Sequence, residues 1–450
     1  MIEFNKAGWK GKGCNRAIEL AFGILCFSVV ELFTAEFGNF TYIEENGAIT
    51  ITDFERNFFD PVIIPAEIDG KEVRKLANAA FDSCKMPEIS IPSSVEVIET
   101  RAFYNCQFLT TITVDSDNAG FSSLEGVLFS KDQSLLHQFP AAKEVASYTT
   151  PVSVTAIADF AFQAAKLPSI TLSSKVTAIG DRAFEWSKLE SISFNQGLEK
   201  IGEGAFYYSF LKEIDLPESL TELGSSVFSN NPIESIVSLG GVTELPERAF
   251  YSCGVLEQFA FSQGIIRIGD EAFASCSNLS SVTFPSSVEE FGFRAFYKCV
   301  GLTNFQFPVG LKRIGVEAFD DCEELLLINL PEGLETIEEA AFRGCENLLS
   351  VSMPDTVVSL GKGAFGSCRE LVQVDLSSRL TSLEPRTFAS CESLVTIDLP
   401  DGIISIGEGA FVGCDRLTNV NLPGDCLEID DEVFFDCASI KSIELPNGVK

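Results

Sequence analysis

The chain has 450 residues, 46% of them hydrophobic, and a formal net charge of −33 from 65 acidic and 32 basic side chains. A surface this acidic repels nucleic acid and anionic lipid headgroups, and it favours solubility and basic partners. His137 is the only histidine. A histidine-based metal cluster is therefore excluded, and a nucleophile would have only one imidazole as its base. We expect no cofactor and no metal.

The N-terminus predicts export. Residues 1–16 carry four basic side chains and one acid, and residues 20–30 form an uninterrupted apolar run. A basic segment followed by an apolar run of this length is typical of a secretory signal, and the run is too short to cross a membrane. We assign residues 1–35 to a signal peptide, although Phe33, two places before the end of this segment, is too bulky for a good cleavage site. An extracellular or cell-surface location follows, and no transmembrane segment is predicted.

A phenylalanine recurs at a nearly constant spacing along the chain, with one long interruption between Phe103 and Phe162. A fixed period of this length is the signature of a solenoid, in which each unit buries its apolar face against its neighbours. The recurring residues are Phe81, Phe103, Phe162, Phe184, Phe206, Phe228, Phe250, Phe273, Phe296, Phe319, Phe342, Phe365, Phe388, Phe411 and Phe434.

One unit, residues 394–416, shows how the chain should run in each coil. Ile397 and Leu399 alternate with polar neighbours, which is the period of a strand, and Pro400 ends that strand. A second short extended stretch at 403–406 leads into the turn that carries the repeat phenylalanine. The sequence predicts a mostly β solenoid of about fifteen coils, each of roughly 22–23 residues, with a parallel sheet and irregular or short helical turns.

The spacing L-x-x-I-x-L-P-x-x-I-x-x-I-G-x-x-A-F-x-x-C resembles the Treponema-type leucine-rich repeat of BspA-like surface proteins. The resemblance extends over about residues 40–450. It implies a leucine-rich-repeat solenoid, surface display and, in some members, adhesion to proteins or host cells, and it implies no catalytic residue. A few units depart from the pattern at Pro, Gly or Cys places: Ala165, Ser187, Ser209, Asn231, Glu338, Ser377 and Glu384.

The ends and the interruption suggest four further segments. Residues 38–60 predict an N-terminal hairpin cap around Asn46-Gly47, a strong two-residue turn signal. Residues 61–114 hold the first repeats, and residues 115–150 form an insert with a predicted hairpin at 131–134. That insert is either an irregular coil or a dedicated ligand loop. Regular repeats fill residues 151–450 and stop mid-coil without an evident cap, which indicates a fragment or an edge covered by a partner or a second copy.

Eleven of the fourteen cysteines share one repeat place, three residues after the phenylalanine. Stacked residues have Cβ atoms about 4.8 Å apart, whereas a disulfide needs about 3.8 Å. We therefore expect free, buried thiols that pack as small apolar groups. The eleven are Cys84, Cys106, Cys253, Cys276, Cys299, Cys322, Cys345, Cys368, Cys391, Cys414 and Cys437.

These patterns favour a non-catalytic binding or adhesion protein whose ligand is a protein of the host, matrix or cell envelope, with basic character if the acidic surface is used. The alternatives are a structural spacer or surface-coat element without a specific ligand, and an intracellular scaffold if the leader is not used. We expect the ligand surface on the outward side of the last strands, where side chains alternate in and out. The candidate residues are Gln373, Asp375, Thr396, Asp398, Asn419, Asn421, Ser442 and Glu444.

Overall fold

The computed structural model describes residues 34–261 and 263–449, and the predicted signal peptide lies largely outside them. These residues form a β-solenoid of about seventeen turns, and none of them is helical. Most coils contribute two short strands, a first strand of two to five residues and a second strand of two residues. The connecting turns are irregular, which is one of the two forms that the sequence left open.

The strands fall into four groups. At the N-terminus lie Ala35–Phe37, Phe40–Glu45, Ala48–Phe54, Glu67–Ile68 and Lys71–Leu76. The first strands of the coils are Val62–Ile63, Glu88–Ile91, Thr111–Val114, Tyr148–Thr149, Ser169–Thr171, Ser191–Ser193, Glu213–Leu216, Ser235–Leu239, Gln258–Ala260, Ser281–Thr283, Asn304–Gln306, Leu327–Asn329, Ser350–Ser352, Gln373–Asp375, Thr396–Asp398 and Asn419–Asn421. The second strands are Val97–Ile98, Ala156–Ile157, Ala178–Ile179, Lys200–Ile201, Glu222–Leu223, Glu244–Leu245, Arg267–Ile268, Glu290–Phe291, Arg313–Ile314, Thr336–Ile337, Ser359–Leu360, Ser382–Leu383, Ser405–Ile406 and Glu428–Ile429. The insert adds Phe121–Leu124, Val127–Ser130 and Leu135–Gln138.

Successive coils pair in parallel and in register, so that residues one repeat apart are partners. Ile170 pairs with Ile192, and Ile397 pairs with Val420. The ladder is divided into several sheets, of which the longest joins seven strands of the insert and the second-strand series. A strand of two or three residues makes few ladder hydrogen bonds. Small irregularities, such as the bulge at Val237, therefore interrupt the pairing.

The N-terminal coils carry three antiparallel hairpins, of which the first joins Ala35–Phe37 to Phe40–Glu45. Phe40–Glu45 pairs with Ala48–Phe54 through a turn at Asn46 and Gly47, both with positive φ. Glu67–Ile68 pairs with Lys71–Leu76 through a second Asx-Gly turn, Asp69-Gly70. Positive φ at both turn residues matches the twist of the flanking strands, which is why Asn-Gly and Asp-Gly favour two-residue hairpins.

The repeat phenylalanines form two columns of stacked rings inside the solenoid, Phe81 with Phe103 in the N-terminal core and Phe162 to Phe434 in the C-terminal core. Their ring centroids are 4.7–5.8 Å apart, and the ring planes lie within 22° of parallel. This spacing is close to the distance between neighbouring strands, so the rings and the strands can repeat together.

The insert is a coil of the stack, and it divides the core in two. Phe139 stacks on Phe162 at 5.0 Å and so takes the place of a repeat phenylalanine inside the interruption. On Val127–Ser130, the side chains of Val127 and Phe129 pack into the C-terminal core, whereas Leu128 packs into the N-terminal core. The predicted hairpin forms between Val127–Ser130 and Leu135–Gln138.

Two left-handed residues flank the repeat phenylalanine in each coil, two places before it and two places after it. Arg182 and Trp186 around Phe184, with φ of 52° and 56°, are typical. Most of these residues are not glycine, although the left-handed conformation costs an L residue about 1–2 kcal/mol. The alternation of right-handed and left-handed residues prevents the turn from continuing as a helix.

Removal of one phenylalanine should cost most in mid-array. Phe319 is fully buried and stacks on Phe296 and Phe342, whereas the partly buried Phe434 stacks only on Phe411. We expect Phe319→Ala to destabilise the surrounding coils by roughly 3–5 kcal/mol, and Phe434→Ala to fray only the last coil. Calorimetry of both variants checks this, and equal losses would contradict the nearest-neighbour stacking.

At a left-handed position, glycine should make the solenoid more stable than alanine does. Ser367 has φ of 60°, and the same repeat place holds Gly344 and Gly413 in other coils. Ser367→Gly removes the left-handed cost but adds backbone entropy to the unfolded chain, so we expect a net gain of about 0.5–1 kcal/mol over Ser367→Ala. Denaturant unfolding of the two variants measures the difference, and a less stable glycine variant would contradict it.

Candidate binding surfaces

The first strands of the C-terminal coils present the predicted polar row to solvent. Each strand has the pattern exposed, buried, exposed, and the buried residue is the inward aliphatic one. The exposed candidates on strands are Gln373, Asp375, Thr396, Asp398, Asn419 and Asn421. Ser442 and Glu444 are exposed too, but they lie outside any strand, so the row is structured only as far as Asn421.

The carboxylates of this row have different partners. Asp375 pairs in register with Ser352 and accepts a hydrogen bond from the Gln373 amide at 3.1 Å. Asp398 pairs in register with Asn421. The strands of Asp375 and Asp398 follow each other in the stack but belong to separate hydrogen-bonded sheets. The row therefore displays two carboxylates on consecutive coils without a regular ladder between them.

The cysteines form a hydrogen-bonded column between coils. The thiol of Cys276 donates to the backbone carbonyl of Phe250, one coil earlier, at 3.1 Å. The same contact, thiol to preceding phenylalanine carbonyl, recurs at Cys106, Cys253, Cys299, Cys322, Cys345, Cys368, Cys391, Cys414 and Cys437. Where Asn231 replaces cysteine, its amide donates to Phe206 at 2.7 Å. Ala165 fills the same place without a donor, so the place requires a compact side chain but not a hydrogen bond.

Burial keeps these thiols protonated. It raises the pKa of Cys253 from 9.0 to about 12, and it raises the pKa of Cys276 well above 9.0. A thiol is reactive as the thiolate, so these groups are poor nucleophiles and poor metal ligands. All twelve cysteines of the described residues are free thiols. The structure gives them a packing and hydrogen-bonding role.

The cysteine column should show its protonation in two measurements. We expect very few of the twelve described thiols to react with a thiol reagent at pH 8 in the folded chain, and all of them to react after denaturation. The folded pKa lies above the unfolded one, so unfolding releases protons above pH 9 and stability falls as pH rises from about 9 towards 12. Thiols already paired on denaturation without reductant would contradict this.

The insert creates a cavity at its junction with the repeats. The cavity has a volume of ≈390 Å³, and its lining includes Glu99, Arg101, His137 and Asp159. His137 packs edge-on against Phe121 at 5.2 Å, and burial lowers the pKa of its imidazole. The histidine is a strand residue of the insert, as the sequence suggested. Within residues 34–261 and 263–449, no group of three or more His, Cys, Asp or Glu side chains could hold a metal ion.

More than half of the lysine and arginine side chains of the described residues pair with a carboxylate of a neighbouring coil. Lys212 contacts Glu190 at 2.8 Å, and Lys312 contacts Glu289 at 2.8 Å. Arg343 pairs with Asp320, a carboxylate that is only 1% exposed. These pairs run along the stack, because residues one repeat apart are spatial neighbours.

We did not predict from the sequence that aromatic side chains line the turns between residues 101 and 300. Four of the seven tyrosines directly follow a repeat phenylalanine, and a fifth, Tyr208, follows one place later. Arg101 lies 4.3 Å from the ring centroid of Tyr104 and 5.1 Å from that of Phe160. Trp186 continues this cluster at 6.4 Å from Tyr104. The signal was present in the sequence, because tyrosine and tryptophan are scarce elsewhere in the chain.

Known proteins share this architecture. The family model described as "BspA type Leucine rich repeat region (6 copies)" matches four ranges, residues 52–137, 136–256, 243–371 and 335–450. No curated protein matches the chain significantly. A leucine-rich repeat protein from Bacteroides ovatus is 25% identical with a TM-score of 0.55, over 92% of this chain and 94% of that one. A leucine rich cell surface protein from Faecalibacterium prausnitzii is also 25% identical over the same shares, with a TM-score of 0.37.

The chain is a leucine-rich-repeat solenoid. It belongs to the BspA-type leucine-rich repeat family, since the family model covers nearly all of the described residues. The resemblance inferred from the repeat spacing is thereby confirmed. Among residues 34–261 and 263–449, there is no helix with the length and apolar character needed to cross a bilayer.

Proposed function

We propose that the chain is an exported or cell-surface protein that binds a protein ligand through the outer surface of its solenoid and catalyses no reaction. Membership of the BspA-type family carries this proposal, because leucine-rich-repeat solenoids are protein-interaction modules. Repeat arrays offer long, regular outer surfaces for such binding. The buried, protonated thiols and the partly buried imidazole give no support to a catalytic alternative.

We place one ligand surface on the polar row of the C-terminal first strands. The side chains of Asp375 and Asp398 are exposed on consecutive coils, where serine or threonine would fill the same places without repulsion between like charges. Exposed carboxylates on consecutive coils can recognise cations and basic peptide segments. The ligand of this row would therefore be a basic segment of a protein or a divalent cation.

A double substitution tests the row. We expect Asp375→Ser with Asp398→Ser to weaken binding of a lysine-rich peptide or Ca²⁺ in calorimetry. It should also raise stability at low salt by up to about 1 kcal/mol. The pair Asp401→Ser with Asp415→Ser removes the same charge from exposed positions outside the row and serves as the control. Equal binding by wild type and both double variants would exclude the row as the site.

The proposed display of the chain on the cell surface is tested separately. Protease treatment of intact cells that express the full chain should degrade it, with a cytoplasmic protein protected in the same cells. A chain that is protected until the cells are lysed would favour the intracellular scaffold over surface display.

A further inference from the structure

One groove on the turn edge differs in charge from the rest of this acidic protein. It has a volume of ≈500 Å³, and its lining comprises Gln107, Phe108, Ala142, Ala164, Lys166, Trp186 and Lys188. Two of these side chains are aromatic, two are cationic and none is a carboxylate. The chain as a whole has a net charge of −33, so a cationic groove is an exception that needs a reason.

The fold explains how the groove arises. Backbone hydrogen bonds join Ala142 to Leu109, Lys166 to Ala141 and Lys188 to Ala165, so the groove spans four successive coils. The middle two coils place the short side chains of Ala142 and Ala164 at this edge. The outer two coils carry Phe108 and Trp186, which are 52% and 45% exposed. Phe108 and Trp186 therefore line the outer coils of the groove, and the two alanines line its middle coils.

The lysines of the groove lack the carboxylate partners that half of the other described lysines have. Among the described residues, neither Lys166 nor Lys188 has a carboxylate within 4.0 Å, whereas Lys200, Lys212 and Lys312 each pair with a glutamate of an adjacent coil. Lys166 and Lys188 occupy the same repeat place on consecutive coils, so their positive charges are neighbours. The Lys188 ammonium lies 4.1 Å from the ring centroid of Phe210, which holds it over the aromatic surface.

We propose that this groove binds an acidic segment of a partner protein, with an apolar side chain between Phe108 and Trp186 and adjacent carboxylates on Lys166 and Lys188. Exposed tryptophan and other aromatic rings are the side chains that most often anchor protein interfaces, in pockets that exclude water. The unpaired lysines would gain the counter-charges that the solenoid itself does not supply. The same net charge of −33 opposes binding of nucleic acid here.

This inference depends on the proposed function as a protein-binding solenoid, but it names a surface far along the chain from the acidic row and a partner segment of opposite charge. The two surfaces can therefore be tested and can fail separately.

The probe is a short labelled peptide with two adjacent leucines between pairs of glutamates, titrated against the full chain by fluorescence anisotropy. Two comparison peptides replace the glutamates by glutamine or the leucines by serine. We expect the acidic, leucine-containing peptide to bind, and each comparison peptide to bind at least about tenfold more weakly. Tryptophan emission should change on binding of the first peptide, and Trp186→Phe should abolish that change.

Two protein variants separate the groove from general electrostatics. Lys166→Gln with Lys188→Gln should weaken peptide binding at least about tenfold, whereas the control Arg369→Gln with Arg386→Gln removes two exposed cations elsewhere on the turns and should not. Ala164→Trp should block the groove without a change of charge. Ala164 and Trp186 both have φ of 56° at the same repeat place, so the backbone accepts tryptophan there.

Three results would overturn the inference. These are undiminished peptide binding by Ala164→Trp, equal losses in the lysine and arginine double variants, and no binding of the acidic peptide to wild type at millimolar concentration. Tighter binding of a uronate oligosaccharide or a single-stranded oligonucleotide than of the peptide would show that the partner class is wrong. If the inference fails while a lysine-rich peptide binds the acidic row, the proposed function stands. If neither peptide binds and the chain is not displayed on cells, both fail.

Discussion

The spacing between coils is the constraint on which the rest of this structure depends. Parallel strands lie about 4.8 Å apart, and the phenylalanine rings stack with centroids 4.7–5.8 Å apart. A coil that rose further would break both the ladder and the ring contacts. The chain meets this requirement by keeping the length of the repeat almost constant. It also places the thiol column so that each coil donates to the carbonyl of the coil before it. Three kinds of contact, with different chemistry, thus enforce one rise per coil.

The same spacing decides what the outside of the molecule can do. Residues one repeat apart in sequence become neighbours in a column, so the charge pattern of the surface is set by side chains that recur from coil to coil. Lys212 with Glu190 and Lys312 with Glu289 show how a highly acidic chain places its few cations where they neutralise the next coil. Lys166 and Lys188 form a column without carboxylate partners, and the acidic segment that we propose as ligand would supply the missing counter-charges. Exposed pairs contribute little to folding in any case.

The period, the two extended stretches per coil, the inward cysteines and the Asn46-Gly47 turn could all be predicted from the sequence, because each depends on contacts that the repeat itself defines. The break-up of the sheets could not, because most strands have only two or three residues and local irregularities, such as the bulge at Val237, shift the register between coils. The left-handed residues escaped prediction for another reason. Serine, arginine and tryptophan occupy places that usually signal themselves by glycine. The Asp69-Gly70 hairpin had a clear signal and was overlooked beside the longer pattern.

The insert shows how a single departure from the repeat creates both a cavity and a groove. Phe139 stacks on Phe162 and extends the C-terminal ring column, while the core itself is divided at the insert. On one side of the insert coil, Leu135–Gln138 occupies the second-strand place and pairs with Ala156–Ile157, and the cavity lined by Glu99 and Asp159 lies beside it. On the other side, Ala142 contributes a short side chain to the groove that Phe108 and Trp186 also line. Regular coils also form a groove on the turn edge, beside Tyr207 and Tyr251, but its lining includes the carboxylate of Glu203. The groove at the insert combines two lysines with two exposed aromatic side chains and has no carboxylate in its lining, because the insert coil keeps the core contact and places alanine at the edge.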